Sequence, residues 1–178
     1  DLIYASLLVS ANDACLSLAI AMGGTEAEFC NMMNNKAQEI GCTNTTFTTA
    51  YGFADPSNLT TAHDMALILN CAISLQGFSD ISTTLQYTIG PTNKYDDSRT
   101  ITNANRFVST QQYSYEYYVG GKTGFTDTAG HTIVAAATKN GRTLIGVILG
   151  SSDSETRYAN LISMFDYCFQ NYVTTPID

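Results

Sequence analysis

Ser10 and Asn12 stand one residue apart at the mouth of an apolar helical pattern, and Lys122-Thr123-Gly124 stands between a tyrosine-rich loop and a run of β-branched residues. The first group offers a hydroxyl and an amide, the second an ammonium, a hydroxyl and a residue without a side chain. These types exchange protons and bind anions. A plain reading exists for each. Ser10 to Asp13 also fits an ordinary helix cap, and Lys122 fits a surface lysine before a glycine turn. The second plain reading leaves Gly120-Gly121 and the apolar run that follows unexplained.

The elements around these groups must hold them. Ser10 to Asp13 provides a polar helix start, and residues 14–22 are apolar nearly all round, which predicts a helix in the middle of a domain. Gly23-Gly24 ends it. Thr25 and Glu28 form a capping-box pattern for a helix whose Phe29, Met32, Met33, Ala37 and Ile40 recur at helical spacing. Gly41 closes that helix in the C′ position. Residues 42–60 are threonine-rich and irregular, with turn signals at Tyr51-Gly52-Phe53 and Asp55-Pro56. Thr61 then caps a third helix with Met65, Ile68, Leu69 and Ala72 on its buried face.

Short alternating runs from Leu85 to Ile101 surround a polar tip, which predicts two strands. Residues 132–138 and 143–149, joined through Asn140-Gly141, read as a hairpin. Both strands are apolar at most positions, so the hairpin is expected to be covered on both faces. A helix from about Ser154 to Val173 carries Tyr158, Leu161, Ile162, Phe165, Phe169 and Tyr172 as its stripe. The tyrosines between Tyr87 and Tyr118 either line a groove or cover the sheet, and the covering reading is preferred. Helices, then strands, then a terminal helix predict an α+β domain with helices against an antiparallel sheet.

A length of 178 residues suits one domain with a real core. The formal net charge of −8, with no basic patch, argues against nucleic acid. It leaves room for an anionic small substrate, since one lysine in a cleft can dominate locally. No apolar run is long enough to span a membrane. The five cysteines include no C-x-x-C pair, which argues against a zinc site. Cys15, Cys71 and Cys168 fall in expected helices as small apolar residues. Cys30 and Cys42 flank the end of one helix, where pairing is one option. His63 and His131 are isolated and read as structural.

Four segments in order resemble a known family, the serine D-alanyl-D-alanine carboxypeptidases or low-molecular-weight penicillin-binding proteins. Residues 1–15 are similar to its helix and S-x-N turn, and Gly41 to Phe47 to its G-x-x-N-T-x-F stretch. Thr61 to Ala66 resembles T-A-x-D-M-A, and Lys122 to Asp127 with Ala129-Gly130 resembles K-T-G-x-T-x-x-A-G.

The resemblance implies a penicillin-binding, serine β-lactamase-like transpeptidase fold. It implies acyl-enzyme chemistry on peptidoglycan stem peptides ending in D-Ala-D-Ala, β-lactams as inhibitors, no metal or organic cofactor, and an extracytoplasmic location. Ser10 would pass a proton toward the leaving amine, and Asn12 would hold the catalytic lysine and the substrate amide. Lys122 and Thr123 would bind the terminal carboxylate, and Gly124 would leave room for substrate backbone. The Phe125 N–H would donate to the oxyanion. Arg106 lies where relatives carry a second carboxylate-binding cation.

The family's remaining signature is a serine followed three residues later by lysine, which puts nucleophile and base on one helical turn. Lys36, Lys94, Lys122 and Lys139 are preceded at that spacing by Met33, Pro91, Val119 and Ala136. Residues 1–178 are therefore expected to be a single, incomplete catalytic domain, inactive alone, that self-associates or is completed by an N-terminal segment. Two other readings compete. A class A β-lactamase needs a glutamate-bearing loop, whereas Glu39 is the one glutamate between Glu28 and Glu116 and sits near a helix end. A non-catalytic wall-binding homologue would have no reason to keep Ser10, Asn12, Lys122 and Thr123 together, and would lack Ser-x-x-Lys upstream in its gene.

Overall fold

A strand of small and β-branched residues organises the chain. The computed structural model describes residues 1–53, 55–173 and 175, and in it this strand, β4 (Gly130–Lys139), runs between β3 (Tyr118–Thr126) and β5 (Arg142–Ser151) in an antiparallel sheet. Asn140 and Gly141 both have positive φ, 52° and 76°, as a two-residue turn matched to strand twist requires. Residues of β4 alternate between faces. Ile133, Ala135 and Ala137 meet helix α7 (Ser154–Asn171) through Tyr158, Leu161 and Phe165. Val134 and Ala136 meet helix α4 (Ala62–Ser74) through Leu69. The hairpin is thus covered on both sides. Tyr113, Tyr115, Tyr117 and Tyr118 pack on the α7 side and cover the sheet as expected, whereas Tyr87 stacks on Tyr4 and Tyr95 is exposed.

The chain begins with three helices: α1 (Leu2–Val9), α2 (Asn12–Gly23) and α3 (Glu26–Glu39). Thr25 accepts the Glu28 N–H at 3.2 Å, giving half of the expected box; the Glu28 carboxylate instead takes the Asn31 amide at 3.5 Å. Gly41, with φ 94°, turns the chain after α3. Cys30 and Cys42 are separate buried thiols, each pushed up by burial, and do not pair.

Helix α2 is covered on one side only. Ala14 and Ala19 are buried, but Ile20 and Met22 are 50% and 62% exposed, because among the described residues no element covers that face.

The irregular stretch before α4 is fastened by a single carboxylate. Asp64, nearly inaccessible, accepts from the Asn44 N–H at 2.8 Å and the Thr45 hydroxyl at 2.7 Å. Thr61 caps the same helix by accepting the Asp64 N–H. Two of the family-like segments are therefore one structural clasp. Its hydrogen bonds, Thr45 first among them, hold the Asp64 carboxyl below the usual carboxylate range.

Between α4 and β3 the chain forms α5 (Phe78–Ser82), the hairpin β1 (Gln86–Ile89) with β2 (Arg99–Thr102), α6 (Arg106–Ser109) and a 3₁₀ turn at Gln111–Tyr113. The strand pair was expected. The helices α5 and α6 are too short to show a periodic pattern.

Candidate active site

Ser10 occupies the corner between α1 and α2. Its backbone is left-handed, φ 55° and ψ 42°, which ends α1 at Val9 and lets α2 begin at Asn12. The side chain is exposed.

Lys122 approaches that corner from the open edge of the sheet. Among the described residues strand β3 pairs only with β4, and Lys122 lies opposite Val134, whose side chain joins the α4-side core. Its Nζ donates to Ser10 Oγ, 112 positions away in sequence, and to the Thr123 carbonyl at 2.8 Å. Desolvation is the main reason that the Lys122 ammonium titrates low, at about 8; the Arg157 cation acts in the same direction and Cys15 opposes them. A cation of this kind can bind an anion and can still exchange a proton near neutral pH.

The neighbours of Lys122 are arranged for close approach. Glycine is required at position 121, since a Cβ there would stand 2.3 Å from the Val134 carbonyl oxygen. A β-bulge between Tyr118 and Gly120 re-aims the strand just before the lysine. Thr123 is half-buried, and Phe125 is 58% exposed and stacks on His131 at 4.4 Å. Asn12 is the exposed first residue of α2.

The structure ties Arg106 to other groups: its guanidinium lies over Tyr113 at 4.4 Å and near Gln112 and Glu155, at 3.5 and 3.7 Å. The structure thus joins Ser10 to Lys122 directly and gives Arg106 no hydrogen bond to either.

A different arginine touches the Lys122 strand. Arg157, in the first turn of α7, is buried and donates through one nitrogen to the Gly124 carbonyl at 3.0 Å and the Thr132 carbonyl at 2.9 Å. It staples β3 to β4 directly after Lys122-Thr123. A signal for it was present in the sequence: Arg157, Leu161 and Phe165 lie four apart on one helical face. A charged residue on an apolar stripe needs a buried partner.

An apolar recess of about 440 Å³ lies between α4 and β5, lined in part by Ile40, Leu67, Cys71, Ile73 and Ile145. It sits at the opposite border of the sheet from Lys122 and includes none of the motif side chains.

Comparison with known proteins places this geometry. The D-alanyl-D-alanine carboxypeptidase family, peptidase family S11, matches residues 1–153. The chain is 32% identical over 179 residues to D-alanyl-D-alanine carboxypeptidase DacC of Escherichia coli, covering 99% of this chain and 42% of that protein. It is 29% identical over 170 residues to DacF of Bacillus subtilis, covering 96% of this chain and again 42% of the relative. It therefore spans less than half the length of these relatives.

Among solved structures, a D-alanyl-D-alanine carboxypeptidase from Mycobacterium tuberculosis superposes with a TM-score of 0.86 at 30% identity, over 99% of this chain and 66% of that one. The Streptomyces K15 DD-transpeptidase does so with a TM-score of 0.86 at 29% identity, over 95% and 66%. These structures share the α+β arrangement of helices and antiparallel sheet described above. By sequence and by fold, the chain belongs to the D-alanyl-D-alanine carboxypeptidase family.

Proposed function

We propose that this chain is the part of a serine D-alanyl-D-alanine carboxypeptidase that carries its proton-relay and carboxylate-binding groups, acting outside the cytoplasmic membrane on peptidoglycan stem peptides. The observation that carries the reading is the hydrogen bond from Lys122 to Ser10, which unites two motifs at the middle of an open strand. Lys122 and Thr123 attract the terminal carboxylate of the peptide, and the Arg157 cation behind Gly124 adds to the same positive field. Ser10 passes a proton toward the leaving D-alanine amine, and Asn12 holds the substrate amide. An edge strand leaves alternate N–H groups unpaired, and that of Phe125 serves as one oxyanion donor.

The nucleophile and its base are assigned to a Ser-x-x-Lys upstream of Ser10 in the parent protein. The bond attacked is the amide between two D-alanines; an acyl-serine forms, D-alanine leaves, and water releases the shortened peptide. β-Lactams acylate the same serine. The reading as a class A β-lactamase finds no support at Glu39, which is exposed at the end of α3 and paired with Lys36 at 2.9 Å.

The test is D-alanine release from a pentapeptide by the full-length parent protein, wild type against Lys122→Met. The expected result is turnover by the wild type and a loss on the order of 10²-fold or more in the variant, the scale of removing a charge-stabilising donor. A wild-type parent that neither releases D-alanine nor is acylated by labelled penicillin would overturn the reading.

A further inference from the structure

Ser10 belongs to a corner between helices and Lys122 to the edge of a sheet, so a feature of the fold must keep the two in register. The three residues Asn103-Ala104-Asn105 reach both. Asn103 and Asn105 are only 3% and 5% exposed. Buried asparagines are tolerated when their polar atoms are matched, and here the segment's partners come from α1, α5, β3 and α7. Asn103 donates through its side chain to the Ser82 carbonyl at 2.9 Å and the Thr84 carbonyl at 3.0 Å, and accepts the Asn105 N–H at 2.9 Å. The Ala104 N–H donates to the Leu8 carbonyl at 2.8 Å, two residues before Ser10. The Asn105 amide donates to the Tyr118 hydroxyl at 2.9 Å, at the start of the strand that carries Lys122. Tyr158 of α7 donates to Asn105 Oδ1 at 3.3 Å and accepts the Arg106 N–H at 2.9 Å.

One short segment thus grips the end of α1 with its backbone and the start of β3 with a side chain. Hydrogen bonds fix direction as well as distance, which apolar packing does not. The segment is braced from behind as well. Ser82, whose carbonyl Asn103 holds, also abuts Gly120, where a Cβ would stand 2.8 Å from Ser82 Oγ.

We propose that Asn103 and Asn105 are positioning residues that set the separation between Ser10 and Lys122. The claim rests on the reading of Ser10 and Lys122 as one site. Neither asparagine touches the lysine. They act through Leu8 on one side and Tyr118 on the other.

The experiment uses the 178-residue chain and follows the Lys122 side chain and the Ser10 amide by NMR across a pH titration. Three variants are compared: Asn105→Ala, Tyr118→Phe, and Tyr115→Phe as control. Tyr115 lies in the same aromatic cluster, but its hydroxyl donates to Asp166 at 2.8 Å, away from the network. Asn105→Ala and Tyr118→Phe should raise the Lys122 midpoint by on the order of one pH unit as the ammonium regains water, and should move the Ser10 signal. Tyr115→Phe should do neither. Tyr118→Phe keeps the ring, so the test stands even if Asn105→Ala does not fold.

A Tyr118→Phe chain that loses urea stability while both signals stay at wild-type values would overturn the proposal, reducing the network to a structural role. In the full-length parent the same variant should lower kcat/KM, because a displaced Lys122 serves both carboxylate binding and the contact with Ser10, and Tyr115→Phe should not. A parent that releases no D-alanine, combined with shifted NMR signals, would retire the activity and leave the positioning claim intact.

Discussion

The Lys122 ammonium on β3 donates to the Ser10 hydroxyl at the α1–α2 corner, so residues 112 positions apart meet through one proton donor. That donor has exchanged much of its water for two neutral oxygens, which accounts for a midpoint near 8 against an ordinary 10.5. The unfolded chain therefore binds more protons between these values, and the stability contributed at Lys122 rises with pH across the window from about 8 to 10.5. Unfolding free energies of wild type and Lys122→Met should accordingly shift in favour of the wild type as pH climbs through it. A difference independent of pH would mean that Lys122 titrates as a solvent lysine.

Arg157 supplies the only side-chain hydrogen bonds seen to the Gly124 and Thr132 carbonyls among the described residues. Arg157→Met should leave these acceptors unmatched and cost about 1–3 kcal/mol in urea unfolding. An unchanged midpoint would show that solvent or a local shift replaces the staple.

Gly121→Ala places a methyl group 2.3 Å from the Val134 oxygen and 2.8 Å from the Ala135 Cα, backbone atoms of the central strand. About 1–3 kcal/mol of stability should be lost. At Gly124 the nearest atom is the Thr132 hydroxyl at 2.6 Å, which can rotate aside, so Gly124→Ala should be milder. Thermal unfolding of the two variants side by side reads the contrast, and equal losses would contradict it.

Thr45→Val removes the hydroxyl that contributes most to the lowered Asp64 titration. A depressed carboxyl stabilises the fold above the unfolded value near 3.8 and loses that contribution as pH falls below it. The variant should be less stable at pH 7 and should show a shallower further loss on acidification. An acid limb parallel to the wild type would assign the shift to other donors.

Sedimentation of the 178-residue chain in dilute solution should reveal oligomers. The sheet ends at β5, opposite β3, and Ile20 and Met22 are largely open to water. Open strand borders and apolar patches both favour association. A cooperative monomer would contradict this expectation.

Features whose partners lie close in the chain were legible from the residues. The Asn140-Gly141 turn, the Thr25 and Thr61 caps, and the hairpin of residues 132–149 all depend on local spacing. What remained hidden depends on distant partners. Nothing next to Asn105 indicates that its amide meets Tyr118 or that its oxygen meets Tyr158, 53 positions on. The apolar pattern of α2 points to a covering layer that the described residues do not contain, and its open face follows from that. The link between Ser10 and Lys122 was legible only through family resemblance, since neither residue marks the other in sequence.

The left-handed backbone of Ser10 bears on how its chemistry can be probed. The Cβ of any L-residue at φ 55° crowds the backbone carbonyl, and serine carries that strain as alanine would. Ser10→Ala therefore removes the hydroxyl that meets Lys122 and leaves that strain in place. Glycine occupies that conformation freely. Ser10→Gly deletes the hydroxyl and releases the strain as well, so the gap between the two variants measures what the strained corner itself contributes.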